Sequence, residues 1–385
     1  MDFAFTPEEE AFRAEVRAFL DAGLRERPDG GVEAWQFYRG FVQKLAQRGW
    51  LTMAWPAEWG GQGAGHIKQL IYNEEIAYHE APANDIGSDR VGPTIMLYGT
   101  EEQKQRFLPP IVSGEAVWCQ GFSEPGAGSD LASLETSAVE DGDTFVVNGS
   151  KIWTSFAHFA QWMILLARTD TDAPKHKGIS YFLLDMKTPG VTVRPLVDML
   201  GRHQFNQVFF DNVRVPRDCL LGEQNRGWYV ATSTLDFERS GIARVIGSYR
   251  NYESLVDYAR ETKREGRSLL AEPLVRHALA ELKIEFEVGR LLSYRVAWMQ
   301  GQSIVPNYEA SVSKMYGSEL AQRLANVGMR LLGLGGQLDP ASPWAPLRGR
   351  FESLYIGAAA LTIAAGTSEV QRNIVAGRGL GLPRG

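Results

Sequence analysis

Three stretches of the 385-residue chain hold residue types at spacings that could do chemistry. The first is "WCQGFSEPGAGSD", Trp118 to Asp130. Gly126 and Gly128 would let the backbone come close to a ligand. Ser123, Ser129 and main-chain amides offer hydrogen-bond donors. A turn-rich linker would account for the Gly and Pro alone. The second stretch, "NGSKIWTSFAHFA", strengthens the case for a site: Trp153 offers a flat face and Ser155 a hydroxyl, as an isoalloxazine ring would need. The third is "LTIAAGTSEV", Leu361 to Val370. It reads as the end of a small-residue helix, a break at Gly366 and a new helix opened by Thr367 or Ser368. Thr367 and Glu369 then stand at a helix N-terminus suited to a phosphate or ring carbonyl.

The elements that must position these stretches fall into three patterns. Residues 1–118 read as helices. In "FTPEEEAFRAEVRAFLDAGL", Thr6 caps, Pro7 takes the first helical position, and Phe12, Val16, Phe19 and Leu20 recur at helical spacing. "WPAEWGGQGAG" is a turn-rich break, while "LIYNEEIAYHEAP" and "TEEQKQRFLPPIVSGE" read as further helices, the latter starting at Thr100. From 119 to 225, short β-branched and aromatic runs ("DTFVVNGSKIWTS", "WMILLAR", "GISYFLLDM", "GVTVRPL", "NQVFFDNVRVP") are parted by Asn-Gly, Asp-Gly and Pro-Gly pairs. They predict an antiparallel sheet or barrel. Residues 226–385 return to long helices: "GWYVATSTLDFERSGIARVIGSYRNYESLVDYARETK" as one, "EPLVRHALAELKIEFEVGRLLSYRVAWMQ" as the next, then Glu309 to Gly333, with the last starting near Glu352. The expected fold is α+β, mostly α: an N-terminal helical domain (1–118), a central antiparallel β-domain (119–225) and a C-terminal helical bundle (226–385).

Composition narrows the function. The net charge of −6 argues against nucleic acid or an anionic membrane as partner, since both need a basic face. No apolar run is long enough to span a bilayer, and the acidic start lacks the basic region of a signal peptide. Cys119 and Cys219 form neither a metal spacing nor a disulfide framework, which suits a reducing cytoplasm. The six His residues show no HxxxH pair, so no metal is expected.

Together, "LYGTEEQKQRFLPPIVSGEAVWCQGFSEPGAGSD", "VVNGSKIWTS" and "GTSEVQRNIVAGRGLG" resemble the acyl-CoA dehydrogenase family, in the right order and over essentially the whole chain. "AFTPEEEAFRAEVRAFL" and "WPAEWGGQG" fit it as well. The resemblance implies helical, β and four-helix domains with FAD between them. It also implies α,β-dehydrogenation of an acyl-CoA, in which a glutamate takes the α-proton and the β-hydride passes to flavin N5. Electrons would pass on to an electron-transferring flavoprotein. Residue by residue, Phe122 and Ser123 match the flavin pyrimidine contacts, and Trp153 and Ser155 match the stacking Trp and the hydroxyl beside N5. Ser129 matches a serine that contacts the CoA portion. Arg264 in "TKREGR" matches an arginine reaching a neighbouring subunit's FAD, which implies a homo-oligomer, a dimer or tetramer. Thr367 and Glu369 fall near the cofactor. "MRLLGLGGQ", with Gly333, resembles a second Gly-rich FAD contact, but Arg330 and Leu334 depart from the usual form.

In the family the base commonly precedes the Gly-Thr pair directly, and here that position is Ala365, which cannot abstract a proton. Some members place the glutamate elsewhere, in a pattern like "LxxER"; "TLDFERSGIARV" supplies Glu238. At helical spacing Glu238 falls on a stripe with Leu235, Ile242, Val245, Ile246 and Tyr249. A carboxylate on an apolar face would have its pKa raised by desolvation, as a base near neutral pH needs. The competing reading is a structural ion pair with Arg239, Arg244 or Arg264. Asp236 and Arg239, at the edge of the stripe, match residues that contact CoA. Two other functions stay open: a flavin monooxygenase of the same fold, which needs no α-proton base, and a non-catalytic subunit of a heteromeric dehydrogenase.

Overall fold

A computed structural model describes residues 4–28, 31–83, 85–237 and 241–383. Its helices are α1 (Pro7–Gly23), α2 (Gly31–Gln47), α3 (His66–Tyr78), α4 (Gly92–Tyr98), α5 (Glu101–Val112), α6 (Gly227–Phe237), α7 (Ile242–Ile246), α8 (Tyr249–Glu261), α9 (Pro273–Gly301), α10 (Tyr308–Leu332), α11 (Arg350–Leu361) and α12 (Ser368–Ile374). Its strands are β1 (Trp118–Gly121), β2 (Ser137–Asp141), β3 (Thr144–Lys151), β4 (Trp162–Arg168), β5 (Ile179–Asp185), β6 (Val191–Leu196) and β7 (Phe205–Pro216), with a small hairpin of β8 (Lys263–Arg264) and β9 (Arg267–Ser268). The expected class holds: the chain is 53% helical, with N-terminal helices, a central curled sheet and C-terminal helices.

Local chemistry explains the helix starts. Thr6 and Glu9 form a capping box at α1: Glu9 N–H donates to Thr6 Oγ1 at 3.2 Å and Thr6 N–H to Glu9 Oε2 at 2.8 Å. Thr100 and Gln103 repeat the device at α5. Among the described residues no helix is long and apolar enough to cross a membrane.

The chain divides into two compact units, one of Met1–Glu26, Gly65–Ala81 and Arg239–Gly385, the other of Arg27–Ala64 and Pro82–Glu238. The first is helical, and its core joins Leu70 of α3 to Ile242 and Val245 of α7, Phe286 of α9, Leu320 and Leu324 of α10 and Phe351 of α11. A buried ionic knot crosses three of its helices. Glu74 (2% exposed) faces Arg13 Nη1 at 2.9 Å and Arg290 Nε at 2.6 Å, and accepts from Tyr294 OH at 2.8 Å. Glu75 takes Arg13 and Arg17. The surrounding acids outweigh burial and raise the Arg13 pKa further.

The second unit holds the seven-stranded sheet, in the order β1-β4-β2-β3-β7-β6, with β5 also on β4. Its pairings are mostly antiparallel, as expected, but β1 lies parallel to β4 through four residue pairs and β2 touches β4 in parallel at Ser137 and Arg168. β4 and β5 are buried nearly throughout, which is why they read as unbroken apolar runs. α6 starts against β5: a Cβ on Gly227 would stand 2.4 Å from the Ser180 carbonyl carbon, so only glycine allows that approach.

One expected element is corrected. The stretch from Gly227 to Lys263 is not one helix but three, α6, α7 and α8, with non-helical Gly241 before α7 and Gly247-Ser248 before α8. Glycine is a poor helix former, and here it interrupts an apolar period that looked continuous.

Candidate functional site

In the sheet unit, two chain segments adjoin where β1 and β3 end. Phe122 is buried (3% exposed) and packs edge-on against Tyr181. Ile152 N–H donates to the Ser123 carbonyl at 2.9 Å, tying the Phe122–Ser123 segment to the one that carries Trp153 and Ser155. Lys151, wholly buried, fastens them from below: its Nζ donates to Phe122 O at 3.0 Å and to Glu124 Oε1 at 2.7 Å. Glu124 also accepts the backbone N–H of Glu135 at 2.6 Å and of Thr136 at 2.8 Å. Burial pushes the Glu124 carboxyl up, but Lys151 and these donors outweigh it and hold it below its usual range. Burial also lowers Lys151, to about 8, against the opposing pull of Glu124.

Trp153 is 57% exposed with φ at 59° and meets Phe205 edge-on. Ser123 and Ser155 are half-buried, and neither hydroxyl is engaged by a described residue. Nearby, the buried Gln120 Oε1 and Thr154 Oγ1 find no partner among the described residues. Ser129 is exposed on the following loop, next to Asp130, which pairs with Lys175. The structure thus brings Phe122, Ser123, Trp153 and Ser155 together.

In the helical unit, α11 ends at Leu361 and a tight corner leads to α12. Thr367 caps α12 as the sequence indicated, its Oγ1 accepting Val370 N–H at 3.2 Å. Gly366 turns the corner at φ 82°, and Ala365 shares the left-handed region at φ 56°. Lys314, buried on α10, donates to Leu361 O at 3.1 Å and Gly366 O at 2.8 Å, and Gln371 Nε2 donates to Ala365 O at 3.1 Å. Glu369 is exposed at the first turn, where its own N–H and the Thr367 hydroxyl hold its carboxyl below the usual range. Ser368 Oγ is buried without a partner among the described residues.

The other candidates stand apart from these groups. Arg264 is exposed at the β8–β9 hairpin, 3.6 Å from Glu272. Gly333 closes α10 with φ at 60°, and Leu334 after it is exposed. Asp236 belongs to α6, but its side chain lies outside the described residues, as do Glu238 and Arg239 entirely. The break at Gly241 removes the continuous helical period by which Glu238 was assigned to an apolar stripe.

Sequence reasoning missed Lys151, Glu124 and Lys314. A lysine or glutamate inside an apolar or Gly-rich run was the available signal, since such a group is rarely buried unpaired. It also missed Asp85, buried before a π-helical turn at Gly87–Val91. Asp85 Oδ1 accepts Gly87 N–H at 3.0 Å, while Oδ2 has no partner among the described residues. Burial pushes its carboxyl up to about 6 despite that hydrogen bond and the Arg39 charge.

Models of the acyl-CoA dehydrogenase N-terminal, middle and C-terminal domains match residues 6–115, 119–213 and 225–380. "Acyl-CoA dehydrogenase IpdE1" of Mycobacterium tuberculosis is 38% identical over 388 residues, covering 97% of this chain and 98% of that one. The chain belongs to the acyl-CoA dehydrogenase family. The human mitochondrial short-chain specific acyl-CoA dehydrogenase is 34% identical over 344 residues, covering 87% of this chain and 81% of that protein. Among solved structures, the ChsE4–ChsE5 complex from Mycobacterium tuberculosis matches with a TM-score of 0.92 and 36% identity over the full length of both chains. This acyl-CoA dehydrogenase chain is accordingly an oxidoreductase.

The family is generally FAD-dependent, and the residues present suit such a group. The sheet unit offers an exposed indole face, the Ser123 and Ser155 hydroxyls, and Gln120 and Thr154 oxygens without a partner among the described residues. The helical unit offers the orphaned Ser368 hydroxyl at a capped helix start.

Proposed function

We propose that the chain catalyses α,β-dehydrogenation of an acyl-CoA thioester, with FAD as cofactor and Glu238 as the base that takes the α-proton. The reading keeps the three-part division 1–118, 119–225 and 226–385. Bound FAD would supply the hydride acceptor. Phe122, Ser123, Trp153 and Ser155 would seat its ring: Trp153 presents its face, Ser155 its hydroxyl, and Lys151 fixes the segment beneath. Arg264, Gly333, Thr367 and Glu369 would hold the rest, and Ser129, Asp236 and Arg239 the CoA portion. An electron-transferring flavoprotein would take the electrons, in a cytoplasmic homo-oligomer.

One observation supports a base away from the Gly-Thr corner. Ala365 occupies that corner, and its methyl cannot take a proton, while Glu238 is a carboxylic residue elsewhere in the sequence, next after Phe237. The sheet unit carries the other half of the support, in free hydroxyls beside an exposed Trp. The test is FAD-reconstituted protein assayed on a panel of acyl-CoAs with an artificial electron acceptor. Glu238→Gln should keep bound yellow FAD and lose turnover by about two orders of magnitude or more, as loss of a general base does. Wild-type turnover in that variant would refute the assignment.

A second reading is favoured by the likeness to the ChsE4–ChsE5 complex: this chain as a non-catalytic subunit of a heteromeric dehydrogenase, in which the partner supplies the base. FAD content near zero in the chain purified alone, restored with a partner, would select it.

A further inference from the structure

Two residues of the Trp153 segment, Trp153 and Phe156, hold left-handed backbone at φ 59° and 55°. Side-chain-bearing residues disfavour that region, so the surroundings must impose it. Much of the fastening comes from the start of β7 and the loop before it. Thr154 N–H donates to Asn206 O at 3.0 Å and Phe156 N–H to Gln204 O at 2.9 Å. Asn206 is wholly buried, and its side-chain Nδ2 donates back to Thr154 O at 3.0 Å.

That last bond fixes the protons that face Asn206. A carbonyl oxygen only accepts, so the group facing Thr154 O is the amide NH2. The second hydrogen of the same nitrogen points to His158 Nδ1 at 3.0 Å, which must therefore be an unprotonated acceptor. Asn206 Oδ1 then faces His203 Nε2 at 2.8 Å, which must donate. The two imidazoles stack with centroids 4.1 Å apart at 22°. Protonating His158 at Nδ1 would set donor against donor. Flipping the amide would set its oxygen against Thr154 O, so no orientation of Asn206 serves a protonated His158.

Groups of α2 also pack on this cluster. Trp35 stacks on Phe159 at 3.9 Å and Tyr38 faces Phe156 at 6.5 Å; Arg39 lies over the Trp35 ring, one side chain further out. Burial first, then His203, lowers the His158 pKa.

We propose that Asn206 and His158 are positioning residues for the Trp153–Ser155 segment, and that they hold it only while His158 Nδ1 carries no proton. The relevance to flavin rests on the reading that this segment seats the FAD ring; the positioning itself does not. Apoprotein titrated with FAD at about pH 8 and about pH 5.5 tests it, with amide hydrogen exchange over residues 152–157, corrected for intrinsic pH dependence, as the second readout. For the wild type, FAD affinity should fall by about twofold or more at the lower pH, up to the roughly tenfold that one buried hydrogen bond is worth. Exchange at Thr154 and Phe156 should quicken by a similar factor. His158→Gln, whose amide oxygen still accepts but does not titrate, should flatten both profiles. Asn206→Ala should show weak binding and fast exchange at both pH values. Wild-type pH dependence retained in His158→Gln, or wild-type exchange that does not change with pH, overturns the proposal. Should FAD bind at neither pH, the cofactor reading fails while exchange still decides the positioning. If Asn206→Ala does not fold, the His158→Gln profiles decide alone.

Discussion

Replacing Lys151 by Met keeps the side chain's volume and removes its charge. Lys151 is wholly buried and Glu124 only 8% exposed, so water cannot take over the lost pairing. Breaking a buried pair from one side costs about 3–5 kcal/mol. Glu124 keeps two backbone donors, at 2.6 and 2.8 Å, which places the loss at the low end of that range. Phe122 O loses its donor as well, adding about 1 kcal/mol. At roughly 2–4 °C per kcal/mol for a unit of this size, the melting temperature should fall by roughly 10 °C. Lys151→Met with Glu124→Gln should recover part of this, because no charge is left unpaired, although the two amides reach different oxygens of Glu124 and a Gln oxygen can accept only one of them.

The pH profile gives a second reading of the same change. Because the folded Lys151 pKa, about 8, lies below the usual 10.5, the folded chain binds fewer protons than the unfolded one between those values. Stability therefore gains from this group as pH rises through that window. The gain should vanish in Lys151→Met. Differential scanning calorimetry from neutral to alkaline pH measures both effects. A melting drop under about 3 °C, or an unchanged alkaline arm, would refute the picture of a desolvated ion pair.

Glu74→Gln leaves Arg13 and Arg290 facing a neutral amide in the helical unit and should cost about 3 kcal/mol or more by urea denaturation; a loss below 1 kcal/mol, roughly an exposed pair's worth, would contradict it. At the left-handed corner, Ala365→Val should be at least about 1 kcal/mol less stable than Ala365→Gly, since only glycine adopts φ 56° freely; equal stabilities would mean the corner relaxes. Asp85 has a folded pKa raised to about 6 from 3.8, so the stability it lends is full below 3.8 and is lost as pH rises through 6. Asp85→Asn should flatten that decline in melting profiles taken across the window, and an unaltered slope would count against burial as its cause.

Much of this molecule can be read before it is seen, and the reasons are local. Thr6 with Glu9, Thr100 with Gln103 and Thr367 before Ser368 each mark a helix start by a bond formed within one turn. The strands announce themselves by short β-branched runs between turn pairs. What escapes the sequence depends on distant partners. Asn206 reads as an ordinary strand residue until Thr154, His158 and His203 are brought around it. Lys314 looks like a surface charge on a helix until its ammonium is found on two carbonyls of the α11–α12 corner. The interrupted helix fails for a different cause: apolar residues kept the 3.6-residue period on both sides of Gly241, and period alone carries no mark of a break.

The helical unit is assembled from three separated lengths of chain, and this bears on how the protein is made. Leu70 and Glu74 leave the ribosome early, while Phe286, which shares a core with Leu70, and Arg290 and Tyr294, which bond Glu74, follow more than two hundred residues later. At translation rates of about 5–20 residues per second that interval is of the order of ten seconds or more. Throughout it α3 has its α1 partners but lacks those of α9, while the sheet unit, complete by residue 238, can close first. A nascent chain stalled before α9 would present α3 as an apolar, acid-bearing segment, the kind of surface that holding chaperones engage.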